Sequence, residues 1–315
     1  FLNGDGEAVV ICGDGLDNFN KSKDYKDRLK ISENNQDNTN FDIVIANPPY
    51  SVSGFKTTIL NGRESFNLFD DFTDKSKEIE CLFVERTKQL LKDGGVAGII
   101  LPPTILEGDK INIKVRELLF ENFEIKGIVK LGKDTFMATN TTTIILLLKK
   151  IKNKKEDILY YLKKSVSEKK DLTINRIEKP ISIYLKLNYK ISFEDYLLFF
   201  ENQDIDDKNL NKIKIYRSYI GEFKKQLHSV KINEFIIERE LNKLIYFILT
   251  FNKKIVFYNI PQSGAKLHKK ILGYEFSTRR GYEGIHIIKL GGSLYNPKNI
   301  YDDAILLYSS SMVCC

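Results

Sequence analysis

Short blocks of unbroken aliphatic residues alternate along the chain with longer segments in which apolar positions recur every three or four residues. The blocks read as strands buried on both faces: Ala8 to Cys12, Phe41-Asp42-Ile43-Val44-Ile45-Ala46, Val96 to Pro102, Ile125 to Leu131, Ile144 to Leu148 and Lys254 to Tyr258. The longer segments read as helices. One runs from Ile79 through Leu82, Phe83, Leu90 and Leu91 to a glycine stop in Lys92-Asp93-Gly94-Gly95. Others cover 111–123, Phe193 to Phe200 and Ile232 to Leu249. Ile158 to Leu162 reads as the return strand of the hairpin that Ile144 to Leu148 begins, and the alternation Ile181, Ile183, Leu185, Leu187 after Pro180 permits one more strand. Strands alternating with helices predict an α/β domain.

One strand ends unusually. Behind Ile43-Val44-Ile45-Ala46 stands Asn47-Pro48-Pro49-Tyr50, and neither proline has an N–H to continue a ladder. A polar side chain and an aromatic ring are thereby delivered at the carboxyl end of what reads as a central strand, where open α/β sheets place their ligands. Methyl transfer to an exocyclic amine on a base suits this arrangement. The lone pair of such a nitrogen is delocalised into the ring, so it is a poor nucleophile until it pyramidalises. Two acceptors aimed at its N–H groups favour that change and stabilise the charge that develops. The Asn47 side-chain carbonyl and the Pro48 backbone carbonyl can supply them, held in place by proline rigidity, and no strong general base is needed. Tyr50 offers a face for the base, worth roughly 1–3 kcal/mol, against the few kcal/mol spent in turning a base out of a duplex.

These residues resemble the amino-group DNA methyltransferases, whose catalytic motif is Asp/Asn/Ser-Pro-Pro-Tyr/Phe. Within them the chain is most similar to the adenine-N6 modification subunits of type I restriction systems and the related fused restriction–modification enzymes. Gly13-Asp14-Gly15-Leu16, about thirty residues before Asn47, resembles the family's Gly-Asp-Ser-Leu motif. The resemblance implies that Asp14, with Gly13 and Leu16, holds the adenine amino group of S-adenosyl-L-methionine. It implies further that Phe83 packs on the cofactor adenine. Phe136 occupies the place of an aromatic that stacks on the extruded base opposite Tyr50. Ser51 to Asp74, irregular and rich in aromatics, corresponds to the loop that closes over the flipped base. Leu272-Gly273-Tyr274-Glu275-Phe276-Ser277-Thr278-Arg279-Arg280-Gly281-Tyr282-Glu283-Gly284 resembles a segment toward the C-terminal end of type I modification subunits. Arg279 and Arg280 can touch phosphate there, or pair with Glu275 and Glu283 and serve only the fold.

The implied fold is a Rossmann-like, S-adenosylmethionine-dependent methyltransferase sheet, N-terminally truncated, with a mixed α+β C-terminal extension. The chain opens at Phe1 without the family's first cofactor loop, so it is expected to be a fragment of something longer. Expected divisions are 1–165 for the C-terminal part of the catalytic domain, 166–230 for a variable connection, and 231–315 for an extension leading toward a target-recognition domain. Implied partners are double-stranded DNA with a flipped adenine, a specificity subunit or fused recognition domain, and a restriction subunit.

Composition changes this picture little. A net charge of +7 suits a polyanionic partner, and 42% hydrophobic residues can fill a core. Lys149 to Lys170 carries nine lysines against three acids, the mark of a solvated face. Cys12, Cys81, Cys314 and Cys315 show no metal-type spacing and fit a reduced cytoplasmic compartment, and no aliphatic run approaches membrane-spanning length. His228, His268 and His286 are scattered, which leaves metal and triad hydrolases without partners. Glu222-Phe223-Lys224 lacks the Pro-Asp of a nuclease site. Two alternatives stay open at this point: cytosine-N4 methylation, and a non-catalytic DNA-binding or assembly fragment.

Overall fold

The structure, a computed structural model, describes residues 11–23, 25, 41–131, 142–201 and 232–251, and the strand segments 255–258, 267–271, 274–280, 286–290 and 304–307. The chain divides into two compact units. One comprises Phe1–Asn112, Ile125–Lys150 and Lys254–Cys315, the other Ile113–Glu124 and Ile151–Lys253.

The first unit is built on a five-stranded sheet in the order β1-β2-β4-β3-β5, from β1 (Phe41–Ala46), β2 (Leu91–Leu101), β3 (Phe123–Leu131), β4 (Ile144–Lys150) and β5 (Ile255–Tyr258). β1 runs parallel to β2, β2 antiparallel to β4, and β3 parallel to β5, so the α/β expectation holds with a mixed sheet. Ile99 and Leu101 of β2 and Leu146 of β4 have no exposed surface. β1 differs from expectation: it is an edge strand among the described residues, not a central one, and Ile43 and Ile45 are 63% and 62% exposed. Its β-branched run reflects strand propensity without two-sided burial. The parallel register pairs Phe41 with Leu91 and then Ile43 with Val96, so Lys92–Gly95 bulges out of the ladder. Gly94, at φ +80, turns that bulge in the left-handed region.

Between β1 and β2 lie α1 (Phe55–Thr58), α2 (Gly62–Ser65), a 3-10 turn over Asn67–Asp71, and α3 (Glu80–Leu90). Phe55, Phe66, Phe69 and Phe72 are all buried, and Phe55 meets Phe72 edge to face at 5.2 Å. The stretch expected as an irregular loop is therefore built of short helical turns, because its aromatics are buried. α4 (Thr104–Glu107) follows β2, and α5 spans Ile111–Asn122. Lys150, 6% exposed, donates from Nζ to the carbonyls of Lys88 and Leu91 at 2.9 and 2.8 Å. A cation thus neutralises the carboxyl end of α3. A further sheet, β6-β7-β8-β9, is antiparallel throughout: β6 (Leu267–Ile271), β7 (Tyr274–Arg280), β8 (His286–Leu290) and β9 (Ala304–Leu307). Arg279 and Arg280 lie on β7 opposite Ile287 and His286.

The second unit is helical: α6 (Ile158–Ser167), α7 (Pro180–Asn188), α8 (Phe193–Glu201) and α9 (Ile232–Thr250). Two expected strands are helices here. Asp157 caps α6 by accepting from Tyr160 N at 2.7 Å, which turns Ile158–Leu162 helical. Pro180 opens α7, and the Asp171 carboxylate accepts from Ile181 N and Ser182 N at 3.3 and 2.7 Å, closing the free amides of its first turn. Glu240 of α9, fully buried, accepts from the hydroxyls of Tyr184 (3.0 Å) and Tyr189. Burial and the carboxylate together push the Tyr184 phenol far up, so it stays a donor. Among the described residues no helix is long and apolar enough to cross a membrane.

Candidate active site

β1 ends at Ala46, and Asn47 follows immediately, exposed at the strand's carboxyl end. Pro48 is buried, Pro49 exposed and Tyr50 half-buried. The motif is thus rooted by its first proline and open on the asparagine side. Ser51 then adopts φ 58, a left-handed conformation that costs a side-chain-bearing residue roughly 1–2 kcal/mol. Its N–H donates to Glu80 Oε2 at 3.1 Å. Glu80 is 2% exposed and begins α3. Burial raises its pKa above the usual carboxylate range, and backbone N–H bonds from its own amide and from Ser51 oppose that rise.

The glycine turn closes on itself. Asp14 Oδ1 accepts from Leu16 N at 2.9 Å, and the Asp14 carbonyl accepts from Asp17 N (3.0 Å) and the Tyr25 hydroxyl (2.8 Å). Asp14 and Gly13 are exposed, whereas Leu16 is 1% exposed and anchors the turn. A Cβ on Gly15 would meet Phe83 Cε1 at 3.3 Å, so the glycine lets the turn lie against the half-buried Phe83 ring. The expectation that residues 8–12 form a strand falls mostly outside the described residues, as does Phe136.

What joins the two loops is α3, whose buried face carries polar groups that a search for apolar spacing passes over. Arg86 Nη2 donates to the Asp17 carbonyl at 2.7 Å, and its guanidinium lies 3.9 and 4.6 Å from the ring centroids of Phe19 and Phe66. Burial pulls Arg86 down to about 10, with Tyr25, Glu85, Asp14 and Asp17 opposing, so it remains a cation at neutral pH. Glu85, 1% exposed, accepts from Asn67 N (2.7 Å) and Leu68 N (3.1 Å). Gln89 Nε2 donates to the Ser65 carbonyl at 2.6 Å, and Asn18 Nδ2 to Ser65 Oγ at 2.9 Å. Glu80, Phe83 and Arg86 follow at three-residue spacing, so consecutive turns of one helix touch the segment after Tyr50 and the turn at Asp14. The signal for them in the sequence was charge on the apolar stripe of α3.

The family model for N-6 DNA Methylase matches residues 14–245, well over half of the chain. The chain belongs to the N-6 DNA methylase family. Among curated proteins it is 24% identical over 145 residues to the type II restriction enzyme and methyltransferase RM.Eco57I of Escherichia coli, covering 43% of this chain and 14% of that protein. Among solved structures it is 29% identical to the type I restriction-modification methyltransferase subunit from Streptococcus thermophilus, covering 36% of this chain and 24% of that one, with a TM-score of 0.29. It is 20% identical to the type I restriction enzyme EcoKI M protein, covering 38% and 23%, with a TM-score of 0.29. The chain therefore spans about a seventh to a quarter of the length of these relatives.

The N-6 DNA methylase family implies S-adenosyl-L-methionine as methyl donor, and the residues at the turn fit it. Asp14 offers an exposed carboxylate as acceptor, and Phe83 offers an aromatic face beside a backbone that has no side chain at Gly15.

Proposed function

We propose that this N-6 DNA methylase chain carries the base-binding and amine-orienting part of an adenine-N6 DNA methyltransferase of a restriction–modification system. The observation that carries the reading is Asn47 standing exposed at the end of β1, on a buried Pro48 and ahead of a half-buried Tyr50.

The Asn47 side-chain oxygen and the Pro48 carbonyl accept the two N–H groups of the target amine and draw it toward a tetrahedral shape. The base stacks on Tyr50, with Phe136 on its other face. The Asp14 carboxylate takes the adenine amino group of S-adenosyl-L-methionine, Gly13 and Leu16 shape the turn, and Phe83 lies along the same ring. Bound there, S-adenosyl-L-methionine supplies an electrophilic methyl group on sulfur. With that donor in place, Asn47 and Pro48 would hold the amine lone pair toward the methyl group, and the exposed asparagine side would leave the surplus amine proton a way to water. Asn47, Pro48 and Pro49 act by holding acceptors still, worth on the order of a hundred- to a thousandfold in rate.

DNA with a flipped adenine is the substrate in this reading, a specificity subunit or fused recognition domain selects the site, a restriction subunit is the further partner, and the cytoplasm is the compartment. Mass spectrometry of nucleosides from cells expressing the full-length protein, with Asn47→Ala as control, tests it. N6-methyladenine that disappears in Asn47→Ala is expected. N4-methylcytosine as sole product would replace the adenine assignment, and no modified base from soluble protein with its specificity partner would leave an assembly fragment.

A further inference from the structure

Between Ala46 and Ser51 the backbone has few free torsions. Pro48 and Pro49 fix their own φ angles, and the residue before each proline is confined to extended conformations. The freedom that remains lies at the ψ angle of Pro49, at Tyr50 and at the peptide plane joining it to Ser51. That plane is held from one side: its N–H points to Glu80 Oε2 at 3.1 Å. The bond costs the protein something to keep. Glu80 is 2% exposed, a carboxylate sunk into the first turn of α3, and Ser51 sits at φ 58 where a serine is strained. A buried charge and a strained residue persist together only where the surroundings over-determine them. The carboxylate also meets its own amide at the start of α3, where an acid suits the helix dipole, so the bond to Ser51 is one of two backbone bonds it keeps. The sheet supplies little alternative restraint, since β1 is paired on one side only among the described residues.

We propose that Glu80 is a positioning residue for methyl transfer: by holding the Ser51 N–H it fixes the Tyr50–Ser51 peptide plane, and through the two prolines the aim of Asn47 and Tyr50 at the target amine. The assignment rests on the methyltransferase reading above. Glu80 acts through Ser51 and touches no substrate, so its loss shows as misaim of the acceptors and not as weaker cofactor binding.

The test uses the full-length protein with the specificity subunit its site requires. Single-turnover methyl transfer, affinity for S-adenosyl-L-methionine and thermal midpoint are measured for wild type, Glu80→Ala, Glu80→Asp and Glu80→Gln. Glutamine keeps an acceptor oxygen at the same reach, whereas aspartate keeps the charge and withdraws it by one methylene. The expected result is a single-turnover rate lowered about tenfold or more in Ala and Asp, cofactor affinity within about twofold, and rescue in Gln to within about threefold. Where Glu80→Ala does not fold, the contrast of Asp with Gln decides. Asp transferring at the wild-type rate, Gln falling as far as Asp, or rate losses that follow cofactor affinity would each overturn the assignment. A wild type that forms no methylated adenine overturns the methyltransferase reading and this one with it.

Discussion

β1 and β2 are parallel neighbours with nearly the same apolar vocabulary: Ile43-Val44-Ile45 in β1, which pairs with Val96-Ala97-Gly98, and Ile99-Ile100-Leu101 farther along β2. Their environments are opposite. Ile43 and Ile45 are 63% and 62% exposed, whereas Ile99 and Leu101 have no exposed surface and Ile100 is 4% exposed. The strand that carries Asn-Pro-Pro-Tyr is the less buried of the pair. The interior strand β2 is held by packing, and the loops beyond Tyr50 and Asp14 are held by directed bonds from α3: Glu80 to Ser51, Glu85 to Asn67 and Leu68, Arg86 to Asp17. Burial gives stability without direction, whereas hydrogen bonds fix orientation, and orientation is what an acceptor pair needs.

The largest effect that would sharpen this contrast is on β2. Ile99→Ala should cost about 3 kcal/mol in denaturant unfolding, since it opens a cavity at a site with no exposed surface. A loss below about 1 kcal/mol would mean that the interior of the sheet at β2 is not where stability resides. The next effect concerns pH. Burial raises the folded-state pKa of Glu80 and Glu85 above the ordinary value of 4.5. The folded protein then binds more protons than the unfolded chain from pH 4.5 upward, so their contribution to stability is full below 4.5 and is lost as pH rises through the folded values. Melting curves of wild type and of the double variant Glu80→Gln/Glu85→Gln should therefore diverge with rising pH, the wild type falling relative to the variant. Parallel curves would show that the clamp carboxylates titrate as in the unfolded chain. The smallest effect belongs to β1: Ile43→Ala should change stability by less than about 0.5 kcal/mol. A cost approaching that of Ile99→Ala would break the comparison by showing β1 to be covered.

Much of this was legible from residues alone. Glu80–Leu90 and Ile144–Lys150 follow from apolar spacing, β2 starts at Leu91 and so takes in the glycines expected as a stop before Val96, and Asn47 lands at the strand end that its prolines announce. The burial of β1 was not legible, because a β-branched run reports that a strand forms but not how many faces its neighbours cover. Ile158–Leu162 was misread because five apolar residues fit a strand or a helix turn, although Asp157 in front was a readable cap. The cap on α7 comes from Asp171, ten residues upstream of Ile181, beyond any local pattern. The role of α3 was hidden for a related reason: charge on its apolar stripe is visible in the sequence, but the loops that Glu80, Glu85 and Arg86 hold lie elsewhere in the chain. The Phe83 ring lies against the turn at Gly15, a contact between residues far apart in the sequence.

The burial of three basic side chains has a consequence for how the protein meets a protease. Among the described residues, Arg86, Arg116 and Lys150 are 4%, 5% and 6% exposed and sit within α3, α5 and β4. Trypsin needs an extended, accessible chain on both sides of the bond it cuts, and folded protein offers none at these positions. Scission there passes through an opened state, so the appearance of those termini counts the opened population in a digest without any denaturant.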